Sequence, residues 1–227
     1  MINKTLHIRR QASFSEPSYW EDFSYETDDE NDTVATALFS LPVEWEHSCL
    51  QKKCGACAMV IDGRPRLACD TLLSGLHKDV ITIEPLRKFP VVRDLLVDRS
   101  IMRKNLTELS AWLSEDATEK NDGMAYEASK CLQCGLCLEV CPNFYTGGSF
   151  YGMAAMSPMA RLLQKSDDAD RKRLTREYLK GVYQGCGKSL ACRDVCPAGM
   201  DIEQLLVKSN KITLWRRLLC DRRDACN

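Results

Sequence analysis

Residues 131–142 read C-L-Q-C-G-L-C-L-E-V-C-P, and four thiols packed this tightly restrict the fold more than any other feature of the chain. Three cysteines at two-residue gaps curl round one face of a cubane-type cluster. The fourth, Cys141, stands a helical turn further on and serves a second cluster. Such crossed ligation requires another cysteine group. Cys186, Cys192 and Cys196 supply it, the last again followed by a proline, Pro197. Zinc sites pair knuckles of two cysteines each, which this run does not match. The pattern is that of an iron–sulfur protein.

A second signature lies upstream. Cys49, Cys54 and Cys57, with Cys69 following, have the spacing of a plant-type [2Fe–2S] loop. Gly55 and Ala56 leave room for backbone N–H groups to approach cluster sulfur. Between Cys57 and Cys69, A-M-V-I-D-G-R-P-R-L-A predicts a hairpin turning at Asp62-Gly63, which returns the fourth ligand to the site. A strand is expected over residues 3–11 and another over 80–84. A short helix capped by Asp32 or Thr33 should run over 33–41. The seven acids between 21 and 32 suggest a solvated hairpin loop. Residues 1–90 therefore read as a β-grasp [2Fe–2S] ferredoxin domain.

Residues 91–227 read as a helical domain, giving an α+β chain whose second half resembles a bacterial ferredoxin. Pro85–Val97 reads as the joint between the domains, and from Val91 within it the apolar residues Leu95, Leu96, Met102, Leu106, Leu109 and Leu113 fall at a helical period. Residues 114–123 are polar and suit a surface loop. Residues 161–179 predict a helix with an exposed charged middle. Asp201 and Gln204 form a candidate capping box opening a helix to Asn210.

Eleven of the thirteen cysteines fall into the three groups. Crossed ligation assigns Cys131, Cys134, Cys137 and Cys196 to a [4Fe–4S] cluster. It leaves Cys141, Cys186 and Cys192 for the other, with Ser189 where an eight-iron ferredoxin carries its remaining cysteine. Three thiolates suit a [3Fe–4S] cluster; a [4Fe–4S] cluster with a Ser189 oxygen or an external ligand is the competing reading. Cys220 and Cys226 lack partners at cluster spacing and read as free thiols. Of the three histidines, only His47 lies near a cysteine group, so a Rieske-type centre does not fit.

The remaining composition narrows the function. A net charge of −1 gives no sign of nucleic-acid binding. The apolar runs are too short for a transmembrane segment, and the N-terminus lacks the apolar core of a signal peptide. No glycine fingerprint for a nucleotide and no acid–base or nucleophile constellation stands outside the cluster cysteines. The chain is thus expected to carry electrons, with no catalytic residue of its own and the substrate chemistry on a partner.

The order of these three groups resembles the iron–sulfur subunit of the succinate dehydrogenase/fumarate reductase family. C-G-A-C-A-M at 54–59, R-L-A-C at 66–69, P-V-V-R-D-L-L-V-D at 90–98 and L-A-C-R-D-V-C-P at 190–197 carry the likeness. The family implies a flavoprotein partner with covalent FAD that interconverts succinate and fumarate. It also implies a membrane anchor with quinone, often with haem b, and electron flow through [2Fe–2S], [4Fe–4S] and [3Fe–4S] clusters in that order. The chain would then sit peripherally on the cytoplasmic face of the cell membrane. Pro142 matches a residue of the quinone vicinity, whereas Gly187 and Thr146 replace the histidine and tryptophan of many ubiquinone enzymes. Tyr145, Lys188 and Arg193 are further candidates for a quinone headgroup. Gly135 and the last motif lean toward the fumarate reductase branch. The alternatives are a subunit of a soluble or thiol-linked flavin dehydrogenase or fumarate reductase, and a free ferredoxin-type shuttle. The basic stretch from Lys211 to Arg223 would rest against an anchor or anionic lipid, or form a solvated helix end.

Overall fold

The computed structural model describes residues 1–114, 123–166 and 168–215. The chain divides into two compact units: Met1–Arg99 together with Leu132–Val140, and Ser100–Cys131 together with the chain from Cys141 onward.

The first unit is built on a five-stranded mixed sheet of β1 (Ile2–Arg10), β2 (Tyr19–Thr27), β3 (Ala58–Ile61), β4 (Arg64–Leu67) and β5 (Val80–Glu84), in the order β2-β1-β5-β3-β4. β1 pairs antiparallel with β2 and parallel with β5, setting Leu6 beside Ile81 and Ile8 beside Ile83. All four side chains are fully buried. Full burial of such a side chain is worth about 1.5–3 kcal/mol, and a one-residue slip would turn all four outward. The β3–β4 hairpin turns at Asp62 and Gly63, with φ of 50° and 74°. Two successive left-handed residues are what a two-residue antiparallel turn requires. The helix Val34–Phe39 opens on Thr33, whose hydroxyl accepts from Thr36 N–H while the Thr36 hydroxyl accepts from Thr33 N–H.

Two expectations change here. The acidic stretch is largely strand β2 at the sheet edge, not a loop; the turn before it lies at residues 11–18. Phe23, Tyr25 and Thr27 alternate with the acids at strand period, and an edge strand tolerates charge. Arg10 takes Glu21 at 2.7 Å, His7 takes Asp22 at 2.5 Å, and Asn3 donates to Glu26 at 2.9 Å. Nor does the apolar stripe from Val91 begin a helix. Val91–Arg93 (β6) and Leu96–Val97 (β7) form a small antiparallel ribbon, turned at Asp94 with φ 47°. Asp94, only 3 % exposed, ties the ribbon down by accepting from the backbone N–H of Gln11 and of Glu44 and by pairing with Arg10 Nε at 2.9 Å. The helix starts later, at Ser100–Glu108, and buries Met102 and Asn105.

The described elements of the second unit are all helical. The helix Gly123–Ser129 packs on Gly152–Lys165, where the buried Ser157 hydroxyl donates to Ala128 O at 2.8 Å. The single helix expected over 161–179 is instead two, Gly152–Lys165 and Asp168–Tyr178. Ser166 breaks it with an extended ψ of 147°, its hydroxyl donating to Leu163 O while its own carbonyl accepts from Arg171. Serine competes with the helix backbone in this way. The second helix widens to π geometry at Leu179–Tyr183 before Cys186. Gly181 within it lets neighbours pack closely: a β-carbon there would stand 2.7 Å from Leu109 Cδ2 and 2.9 Å from the Tyr151 ring. Ile202–Asn210 opens on Asp201, whose carboxylate accepts from Gln204 N–H at 3.0 Å. Most of the polar stretch 114–123, and the tail beyond Trp215 with Cys220 and Cys226, lie outside the described residues.

Candidate iron–sulfur sites

The first cysteine group lies within the first unit. Leu50, Lys52 and Gly55 all have left-handed backbone, with φ of 54°, 58° and 75°. Those reversals turn successive N–H groups inward. Gln51 and Lys53 N–H donate to Cys49 Sγ at 3.3 and 3.4 Å, Lys52 N–H to Cys69 Sγ at 3.4 Å, and Ala56 N–H to Cys54 Sγ at 3.5 Å. Peptide dipoles aimed at sulfur favour a thiolate and an anionic cluster. The Cys49 thiol is drawn down to about 7, first by the Gln51 N–H and then by the Cys54 thiol and Lys53 N–H. Cys57 is buried, which pushes its thiol up to about 12. Coordination by a metal deprotonates such a thiol outright. Cys69 arrives on a tight turn, Ala68–Asp70, directly after β4. The predicted hairpin thus delivers the fourth cysteine. This donor set fits a [2Fe–2S] cluster.

Cys134 and Cys137 belong to the first unit, and Cys131 and Cys196 to the second. Gln133 and Gly135 turn the chain through φ of 52° and 87°, and a single helical turn, Leu136–Glu139, follows. A β-carbon at Gly135 would press on the Phe89 ring at 3.2 Å. Glu139, largely buried, accepts from Lys88 N–H at 3.1 Å. In the second unit, Cys131 N–H closes the end of Gly123–Ser129 on Ala128 O, and Cys196 N–H donates to Arg193 O.

The third group, Cys141, Cys186 and Cys192, lies wholly in the second unit. Burial, then the neighbouring Cys141 and Cys186 sulfurs, push the Cys192 thiol up. Lys188 and Leu190 are left-handed at φ 55° and 58° and bend the loop round to the single turn Ala191–Asp194. Asn143 Nδ2 donates to Gly185 O at 2.7 Å, and a β-carbon at Gly187 would lie 2.9 Å from that same Nδ2. Ser189 is exposed between the two strained residues, as are Pro142, Tyr145 and Thr146. Arg193 is held by Asp194 and Glu203, and Lys188 stands over the Tyr183 ring at 5.9 Å. Sequence reasoning missed Tyr178, fully buried and donating to Asn210 Oδ1 at 2.9 Å, with its phenol raised by burial and then by Cys186.

None of the eleven described cysteines is in a disulfide. Among the described residues no three histidine, cysteine, aspartate or glutamate side chains converge as ligands of one ion. Iron–sulfur clusters do not require that, since each iron takes at most two protein sulfurs. A cysteine loop on a mixed sheet, followed by a helical part with further cysteine groups, defines an electron-carrying iron–sulfur protein.

Comparison with known proteins agrees. A 2Fe-2S iron-sulfur cluster binding domain matches residues 5–104, and a 4Fe-4S dicluster domain matches residues 127–200. The succinate dehydrogenase iron-sulfur subunit of Bacillus subtilis is 39% identical over 184 residues, covering 76% of this chain and 72% of that one. The fumarate reductase iron-sulfur subunit of Wolinella succinogenes is 28% identical over 193 residues, covering 77% of each. A chain of the Mycobacterium smegmatis Sdh1 complex in the apo form superposes with a TM-score of 0.81 at 25% identity, covering 95% of this chain and 97% of that chain. The chain belongs to the family of iron–sulfur electron-transfer subunits of succinate dehydrogenases and fumarate reductases.

Proposed function

We propose that the chain holds three clusters and relays single electrons between a FAD-containing flavoprotein and quinone bound in a membrane anchor, which in some assemblies carries haem b. Cys49, Cys54, Cys57 and Cys69 hold the [2Fe–2S] cluster. Cys131, Cys134, Cys137 and Cys196 hold the [4Fe–4S] cluster, and Cys141, Cys186 and Cys192 the [3Fe–4S] cluster. The carrying observation is the first loop, where four backbone N–H groups point at three of the four sulfur atoms. Bound clusters supply one-electron chemistry with little rearrangement. The chain's own residues bind them, donate hydrogen bonds to their sulfur, and bury Cys57 and Cys134 away from water.

No described helix is long and apolar enough to cross a membrane. Attachment to the cytoplasmic face of the cell membrane would therefore come through the anchor. Pro142, exposed beside Cys141, stands in the quinone vicinity in this reading. Relatives named for both reactions match, and the higher identity is to the Bacillus succinate dehydrogenase subunit, so the lean toward fumarate reductase sets no direction.

The test is anaerobic purification with the adjacent gene products. The complex should contain a flavoprotein and an anchor, and this chain roughly nine irons with matching acid-labile sulfide. The oxidised complex should show a three-iron EPR signal. A stable lone monomer with zinc, or with far less iron, would sink the proposal.

A further inference from the structure

Arg99 closes the first unit, and its guanidinium is spent almost wholly on main-chain carbonyls. Nη1 donates to Gly55 O and to Cys134 O, each at 3.0 Å, and Nη2 donates to Ala56 O at 3.0 Å. Nη2 also pairs with the Glu46 carboxylate. The side chain is 14% exposed, while its partner Glu46 is 46% exposed. Gly55 and Ala56 are the two residues between Cys54 and Cys57, and Cys134 belongs to the next cysteine group. One planar cation thus grips the backbone of two cysteine loops. Three charge-assisted bonds in a fixed fork hold position better than neutral contacts, and a lysine ammonium cannot reproduce the fork.

We propose that Arg99 is a positioning residue that clamps the Cys54–Cys57 loop onto Cys134, setting how closely the first and second cluster loops approach and raising the reduction potentials of the clusters they hold. Two physical effects support it. Electron tunnelling falls off exponentially with distance, so a contact between the loops has value only if it is held. A cation in a mostly dry site also favours the more negative, reduced form of a neighbouring group. Glu46 tempers that charge from the solvent side.

The inference rests on the cysteine assignments above, and its test separates the two. Arg99→Gln and Arg99→Lys are made in the whole complex. Iron, sulfide and the EPR signal of each cluster report the ligand assignment. Redox titration and the magnetic interaction between the reduced first and second clusters report the clamp. Arg99→Gln is expected to keep its iron, to lower both midpoint potentials and to change the magnetic interaction, leaving the third cluster's potential unmoved. Arg99→Lys should restore the potentials without restoring the interaction, because it keeps the charge and loses the fork. Glu46→Gln should raise the first two potentials. Unchanged potentials and interaction in a fully loaded Arg99→Gln complex would overturn the clamp alone. Should Arg99→Gln fail to assemble, an unchanged interaction in Arg99→Lys overturns it equally. A wild-type complex without the first two clusters would overturn the ligand assignment and the clamp together.

Discussion

Gly55 lies against Cys134 so closely that a β-carbon on the glycine would stand 2.5 Å from the Cys134 β-carbon and 3.0 Å from its α-carbon. Neither atom can swing aside, and Gly55 has a φ of +75° besides. Gly55→Ala should therefore add left-handed strain of about 1–3 kcal/mol to a steric clash that forces the loops apart. We expect a lower Tm and loss of iron from both cysteine loops, read by melting and metal analysis. Gly63→Ala is the control: it shares the positive φ, but nothing lies within 4 Å.

Asp94 and Arg10 form a largely buried pair, 3 % and 13 % exposed. Arg10→Met leaves the buried Asp94 carboxylate to the Gln11 and Glu44 N–H groups and should cost about 3 kcal/mol in urea unfolding. Asp94→Ala should cost less, because Arg10 keeps Glu21 at 2.7 Å and Pro42 O at 2.9 Å, and the double variant should cost less than the sum.

The same pair sets a pH dependence. Burial works against the Asp94 carboxylate, yet the bonds from Arg10, Glu44 N–H and Gln11 N–H outweigh it and hold its pKa below the ordinary range. A depressed folded value means the stabilisation is complete above the unfolded value of roughly 3.9 and is lost as pH falls from there through the folded value. Wild type minus Asp94→Asn, measured by urea unfolding from neutral pH downward, should be constant until that window and then shrink.

Ser189 is exposed on the loop between Cys186 and Cys192. Ser189→Cys should supply the missing thiolate, raise iron by about one per chain and lower that cluster's potential. The three-iron EPR signal of the oxidised state should disappear. If wild type lacks that signal, the three-iron assignment fails.

Asp201 caps the helix Ile202–Asn210 through Gln204 N–H, and its own N–H donates to Glu127 at 2.9 Å. Asp201→Ala should cost about 1 kcal/mol of stability, and Asp201→Asn or Asp201→Ser should recover most of it.

Much of the site was legible because its information is local. Cysteine spacing, the Asp62-Gly63 turn, the β1 and β5 alternation and the Thr33 and Asp201 caps each act within a few residues. Three elements were misread for a common reason. The acids of β2 hid its strand period until Arg10, His7 and Asn3 paired with them, and an edge position left room for the charge. The 91–97 stripe reads as a helix until Asp94 binds Gln11, Glu44 and Arg10 from elsewhere in the chain. Ser166 ends a helix whose periodicity runs straight through it.

By itself, the order of residues determined which atoms are available as ligands, how the cysteines group, and the family to which the chain belongs. Only the folded chain decided which backbone groups face the sulfur atoms and which carbonyls Arg99 grips. The acceptors for Arg99 lie 35 to 44 residues away. They are main-chain oxygens that every residue type carries, so no letter in the sequence marks them; tertiary packing alone selects them.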